Sequence, residues 1–190
     1  MILEGIITTL SATGEVNIAP MGPKVELDAK TGELRRFTLR PYRTAKTFAN
    51  LMAHGEGVLH VTDDVLLLAR SAVGMLNPQP DLVPAMRVRG WVLADTCRYH
   101  EFRVTSRDDQ SERARFEVEV VYTGRVRDFF GFNRAKHAVV EAAILATRTA
   151  FLPREEIEAE YRRLAILVEK TGGHQEQAAF ALLRQYVQGA

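Results

Sequence analysis

The chain has 190 residues, 46% hydrophobic and 26% charged, with a formal net charge of +1. That length can bury a real core, in one large domain or a domain with an appendage. The near-neutral balance provides no general field for nucleic acid or an anionic membrane, and the single cysteine, Cys97, excludes an internal disulfide framework or a cysteine metal cluster. Met1-Ile-Leu-Glu-Gly lacks the basic start and apolar run of a signal peptide. No stretch approaches the roughly 18 apolar residues of a spanning helix. A cytoplasmic protein is therefore expected.

In chain order, the first two-thirds reads as strands. Ile2 to Leu10 is β-rich, and Thr13-Gly14-Glu15 turns the chain into Val16-Asn17-Ile18-Ala19. Pro20-Met21-Gly22-Pro23 reads as an irregular break. Val25 to Leu27 and Leu34 to Leu39 flank the turn Ala29-Lys30-Thr31-Gly32 as a second hairpin. A short helix follows from about Thr44 to Ala53, closed by glycines. Gly57 to Asp64 reads as a strand and turn, with Val65 to Ala69 continuing it. The segment around Asn77-Pro78-Gln79-Pro80 is the most irregular. Arg87 to Thr105 and Arg115 to Val126 read as long strands joined by a polar connector. Many strands with short links favour a barrel over a parallel sheet.

The period changes near Phe130. Asn133 is a good N-cap for a helix reaching about Ala150, and its apolar residues lie on two faces, so it should be sandwiched. Pro153 opens another helix with the stripe Ile157, Tyr161, Leu164 and Val168. A last helix, about Gln175 to Val187, carries Ala178, Ala179, Leu182, Leu183 and Tyr186. These two helices read as an antiparallel hairpin. The expected division is a domain over residues 1–130 and a helical extension over 131–190.

Familiar catalytic and metal motifs are missing. The five histidines are scattered, and the chain has no GxSxG elbow, Walker loop or GxGxxG after a strand. No metal ligands and no catalytic residue can be named. Two basic constellations remain. On the short helix, Arg43, Lys46, Thr47 and Asn50 face away from Ala45, Phe48, Ala49 and Met52. Cations, a hydroxyl and the free N–H groups of a helix start make a seat for a phosphate, while the plainer reading is a solvated face. The second comprises Arg125, Arg127, Arg134 and Lys136 around Phe129-Phe130-Gly131-Phe132-Asn133. It could take an anion, or pair with Glu117, Glu119 or Glu141.

Three stretches carry a family resemblance. Gly5-Ile-Ile-Thr-Thr-Leu with Gly14-Glu-Val-Asn-Ile-Ala-Pro-Met-Gly22 resembles the start of FMN-binding split-barrel proteins, and Arg40 to Leu51 resembles their phosphate-binding segment. Phe130-Gly-Phe-Asn-Arg-Ala-Lys-His-Ala-Val-Val-Glu-Ala-Ala-Ile-Leu-Ala-Thr-Arg148 resembles the signature of one archaeal and bacterial branch, the domain-of-unknown-function family four-four-seven. The resemblance implies an α+β fold, an FMN-binding split β-barrel with a C-terminal helical extension packed on the barrel and the dimer partner. It implies a homodimer with an FMN near the subunit interface. The phosphate would fall to Arg40, Tyr42, Arg43, Thr44, Lys46 and Thr47, and the isoalloxazine edge to Asn17, Ala19, Pro20 and Met21. Asn133, Arg134 and Lys136 would complete the site, from the same or the other subunit. The function implied is a flavin-dependent oxidoreductase acting on a small molecule, with NADH or NADPH as a candidate donor. The alternative is a flavin carrier or sensor without turnover.

Overall fold

The computed structural model of the chain describes residues 1–189. They divide into two compact units, residues 1–62 with 81–128, and residues 63–80 with 129–189.

The first unit is an antiparallel barrel. Its strands are β1 (Gly5–Leu10), β2 (Val16–Met21), β3 (Lys24–Leu27), β4 (Leu34–Leu39), β5 (Glu56–Val61), β8 (Arg98–Asp108) and β9 (Arg115–Arg125), in the order β2-β1-β5-β8-β9-β4-β3. A hairpin of β6 (Leu82–Pro84) and β7 (Trp91–Leu93) stands apart. The residues preceding β1 close the ring against β3. Leu3 N–H donates to the Pro23 carbonyl at 3.1 Å, and Val25 N–H to the Met1 carbonyl at 2.8 Å. β2 therefore branches off β1 outside the ring, and the barrel is split. Pro20 is accommodated because β2 is an edge strand.

Alternation sends Ile7, Phe37, Leu59, Phe102 and Phe116 into one buried core. The rings of Phe37 and Phe102 meet edge-on with centroids 5.2 Å apart. Helix α1 (Lys46–His54) adds Leu51, with Phe48 and Met52 packed beside it. Gly124 is required on β9 because a Cβ there would lie 2.2 Å from the Tyr99 ring.

The opposite face of β1, β5 and β8 holds the β6–β7 hairpin by buried polar groups. Glu101, fully buried, accepts N–H bonds from Met86, Arg87 and Val88. Thr8 donates to the Trp91 carbonyl. His60 faces the Ile6 carbonyl through Nδ1 at 3.1 Å and accepts from Leu93 N–H through Nε2 at 3.0 Å. A backbone N–H can only donate, so Nε2 carries the lone pair and Nδ1 the proton.

The second unit is helical, with α2 (Val65–Ala72), α3 (Arg134–Ala146), α4 (Arg154–Thr171) and α5 (His174–Gly189). Two expectations need correction. Val65 to Ala69 is helix, capped by the Asp64 carboxylate accepting from Leu67 N–H, and it clusters with the C-terminal helices. Residues 63–80 therefore leave the barrel side of the expected division. Nor are α4 and α5 chiefly each other's partners: α4 packs mainly on α3, and α5 on α2 and α3. The alanine-rich face of α3, with Val139, is buried, whereas Val140 and Ile144 on its other side are half-buried. Tyr161 donates to the Ala142 carbonyl at 2.8 Å, joining α4 to α3, and burial raises its pKa.

Burial holds the pKa of both His60 and His100 down to about 4. In the unfolded chain each titrates near 6.5. The unfolded state therefore binds more protons between these values, and stability falls with acidification across that window. Chemical denaturation followed from pH 7 to pH 4.5 should show the unfolding free energy declining, by on the order of 2 kcal/mol per histidine. The slope should be shallower in His60→Gln, whatever its absolute stability.

Candidate functional site

The segment Arg40-Pro-Tyr-Arg-Thr-Ala leads from β4 into α1. Pro41 is buried, while Arg40, Tyr42, Arg43 and Thr44 are exposed. Tyr42 bridges to Arg113 across the barrel surface, and Arg43 N–H donates to the Glu112 carbonyl at 3.1 Å. The Arg113 guanidinium lies over the Tyr42 ring, 4.1 Å from its centroid, and donates to its hydroxyl at 2.7 Å.

The start of α1 differs from that of its counterparts. Its N-cap is Ala45, which offers no side-chain acceptor, and its first turn contains no acid. By contrast α2 is capped by Asp64, α3 is capped by Asn133, and α4 carries Glu155 and Glu156 in its first turn. The positive end of α1 is therefore left without an anionic or acceptor group, with Arg43, Thr44 and Lys46 exposed around it.

The rotation of α1 corrects the expected faces. Thr47 and Asn50 are buried with Leu51, whereas Ala49 is exposed. Thr47 Oγ1 accepts from Asn17 Nδ2 at 3.1 Å, and Asn50 Nδ2 donates to Thr9 Oγ1 at 2.9 Å. Polar bonds to β1 and β2 outweigh the weak apolar stripe. This brings Asn17 and Thr47 together at the helix start. Ala19, Pro20 and Met21, expected in an irregular segment, belong to β2 in register with Ile7, Ile6 and Gly5.

Asn133, Arg134 and Lys136 lie in the helical unit. The Asn133 carboxamide caps α3, accepting from Ala135 and Lys136 N–H and donating to the Thr171 carbonyl. Lys136 is largely buried and pairs with Glu176 at 2.8 Å, while also donating to the Asp63 carbonyl at 2.7 Å. Glu176 was not among the acids considered as partners. Arg125 and Arg127 belong to the barrel unit, paired with Asp128 and Asp95 respectively. Arg134 is exposed and makes no ion pair among the described residues. Among these same residues no group of His, Cys, Asp and Glu could hold a metal ion, and no helix is long and apolar enough to cross a membrane.

The family model for the N-terminal domain of a protein of unknown function, DUF447, matches residues 3–127, and its C-terminal companion matches residues 133–185. The chain belongs to the DUF447 family. An FMN-bound DUF447 protein from Methanosarcina mazei has a similar structure, with a TM-score of 0.81 at 23% identity, over 97% of this chain and 94% of that one. The 2-nitrobenzoate 2-nitroreductase of Pseudomonas fluorescens is similar at a TM-score of 0.54 and 16% identity, over 64% of each chain. Component B of nitrilotriacetate monooxygenase from Bacillus cereus gives 0.53 and 13%, over 66% of this chain and 70% of that one. These likenesses establish the split-barrel fold of the DUF447 chain. No curated protein sequence matches it.

Burial disfavours the Glu176 carboxylate, but hydrogen bonds from Lys136 and Gly173 outweigh that and hold its pKa below the usual value. Its contribution is thus present above the ordinary carboxylate range and is lost as pH falls through the lowered folded value. Glu176→Gln leaves Lys136 without its counterion in a nearly dry setting. It should cost about 3 kcal/mol in denaturant unfolding at pH 7, and progressively less as pH falls below the ordinary carboxylate range.

Proposed function

We propose that this chain binds FMN on its barrel unit, with the phosphate at the start of α1, and that it serves as a flavin-dependent oxidoreductase of a small molecule. The observation that carries the reading is the uncapped, acid-free N-terminus of α1 surrounded by Arg43, Thr44 and Lys46. A phosphate ester satisfies those N–H groups and cations together. FMN binding by the Methanosarcina mazei member supports the choice of cofactor. The nitroreductase named above supports an oxidoreductase role.

In this reading Arg43 and Lys46 neutralise the phosphate, and Thr44 donates a hydroxyl to it. Asn17 steadies Thr47 at the helix start, and Arg40 and Tyr42 border the seat. The exposed edge of β2, at Ala19 to Met21, offers main-chain groups to the polar side of a flavin ring. Bound FMN supplies hydride and electron transfer; the chain supplies binding and orientation. Of Asn133, Arg134 and Lys136, Arg134 is the one without an ion pair or hydrogen bond among the described residues, whereas Asn133 and Lys136 serve chiefly to hold the helical unit together. The chain acts as a homodimer, and NADH or NADPH is the proposed electron donor. A carrier or sensor without turnover is the second reading, because the same seat serves both.

Purified protein freed of unbound flavin by gel filtration should retain yellow absorbance after loading with FMN, and NADH or NADPH should bleach it. Retained but unbleached flavin would favour the carrier. No retained flavin at micromolar protein would overturn the cofactor assignment. Arg43→Ala with Lys46→Ala should weaken FMN binding at least about tenfold, by fluorescence titration, while leaving the flavin-free melting temperature within a few degrees.

A further inference from the structure

We propose that Arg113 is a positioning residue of the flavin seat: acting through Tyr42, it presets the Arg43-Thr44 turn and so favours a flavin that carries a phosphate. The inference rests on the phosphate seat proposed above and concerns what holds that seat in shape.

Pro41 has no N–H and cannot continue the β4–β9 ladder. Beyond it the chain is tied to the connector between β8 and β9. Tyr42 bridges to Arg113 in the register that pairs Leu39 with Phe116. Arg43 N–H donates to the Glu112 carbonyl at 3.1 Å, and the Tyr42 carbonyl accepts from Ala45 N–H at 3.0 Å. Tyr42 to Ala45 is therefore a turn anchored at its entry, and its last residue is the N-cap of α1. The Ala45 carbonyl accepts from Phe48 N–H at 3.0 Å, so the turn passes directly into the helix. Arg43 and Thr44 are its two central residues, and both are exposed.

Arg113 holds the entry by its side chain as well. Its guanidinium lies over the Tyr42 ring, 4.1 Å from the centroid, and donates to the hydroxyl of the same residue at 2.7 Å. The Arg113 carbonyl accepts from the Ser111 hydroxyl at 2.7 Å, which ties the clamp back to the connector. A planar guanidinium can cover a ring and reach that ring's hydroxyl at once, whereas an ammonium makes one of these contacts at a time. The clamp is also cationic. Arg113 makes no ion pair among the described residues, so its charge is not cancelled. A carboxylate on the Tyr42 hydroxyl would fix the turn equally well but set an anion beside a phosphate ester. Arg113 fixes it without that repulsion. A preset turn binds phosphate more tightly because the ligand need not order it. A flavin without phosphate does not use the turn, which separates positioning of the seat from general damage to the barrel.

The test is fluorescence titration of the flavin-free chain with FMN and, in parallel, with riboflavin. It compares the wild type with Arg113→Ala, Arg113→Lys, Tyr42→Ala and the double alanine variant. FMN binding should weaken about tenfold in each variant and no further in the double one, with riboflavin affinity unchanged. Equal losses for FMN and riboflavin, or wild-type FMN affinity in Arg113→Ala, overturn the proposal. So do losses that add in the double variant, or wild-type affinity in Arg113→Lys, since Arg113 would then act on the phosphate by its charge and not through Tyr42. Hydrogen exchange in the flavin-free chain gives a readout apart from the cofactor. Arg43 and Ala45 N–H should exchange several-fold faster in Arg113→Ala, with the β1 and β5 amides unchanged, and unaltered exchange at both overturns the clamp. A wild-type chain that binds FMN no better than riboflavin would instead overturn the phosphate seat, and exchange at these two amides still decides whether Arg113 holds the turn.

Discussion

The rotation of α1 is the constraint on which the candidate site depends. Thr47 and Asn50 are buried against β1 and β2 through side-chain hydrogen bonds to Asn17 and Thr9. Turning the helix to bury its alanines would leave these groups without partners, at about 1–3 kcal/mol for each unsatisfied one. The far end is fixed as well. Gly55 caps the helix at a φ of 64°, and its carbonyl accepts from Val104 N–H at 2.8 Å. With both ends held, Lys46 and the preceding Arg43-Thr44 face outward beside N–H groups that no side chain caps. The site is thus preorganised by polar bonds beneath it, and a ligand would have little helix ordering left to drive.

The same division of labour recurs around the barrel. Its interior is apolar and interlocked, with six strands contributing to one core around Phe102 and Phe116. Its outer attachments are polar and directional. Glu101 has three consecutive backbone N–H groups as partners, and Glu56 takes the next, from Arg89. Apolar contact alone would let the β6–β7 hairpin slide; these carboxylates set its register. The cost of burying Glu101 is offset by N–H donors.

Sequence reading succeeded where periodicity and local chemistry agree. The barrel strands alternate, Asn133 caps as its residue type predicts, and α4 buries Ile157, Tyr161 and Val168. It failed where two readings shared one pattern. Val65-Leu-Leu-Leu-Ala is an apolar run that periodicity cannot divide between strand and helix. The local signal was Asp64, whose carboxylate caps the helix start. The basic face of α1 was legible as composition, but its rotation was not, because Thr9 and Asn17 lie far away in sequence. Arg113, which lies between the polar connector and the next strand, meets Tyr42 through a strand bridge that no local pattern announces.

The family signature over Phe130–Arg148 has a physical explanation in packing. Ala135, Ala138, Ala142, Ala143 and Ala146 are all buried on α3. Small side chains at these spacings let α3 sit close to α4 and α5, and a larger residue at any of them would push a neighbouring helix away. Asn133 is occupied by the cap and by Thr171. Lys136, together with Asp63 and Glu176, joins the starts of α2, α3 and α5, and Phe130 N–H donates to the Asp63 carboxylate at 2.7 Å. These residue types are therefore demanded by the architecture of the helical unit before any ligand is considered. The signature identifies the family because it specifies this packing, and cofactor contact need not be invoked for most of it. Phe130, Phe132, Arg134, His137, Glu141, Thr147 and Arg148 present exposed side chains, and it is there that a role beyond folding would have to reside.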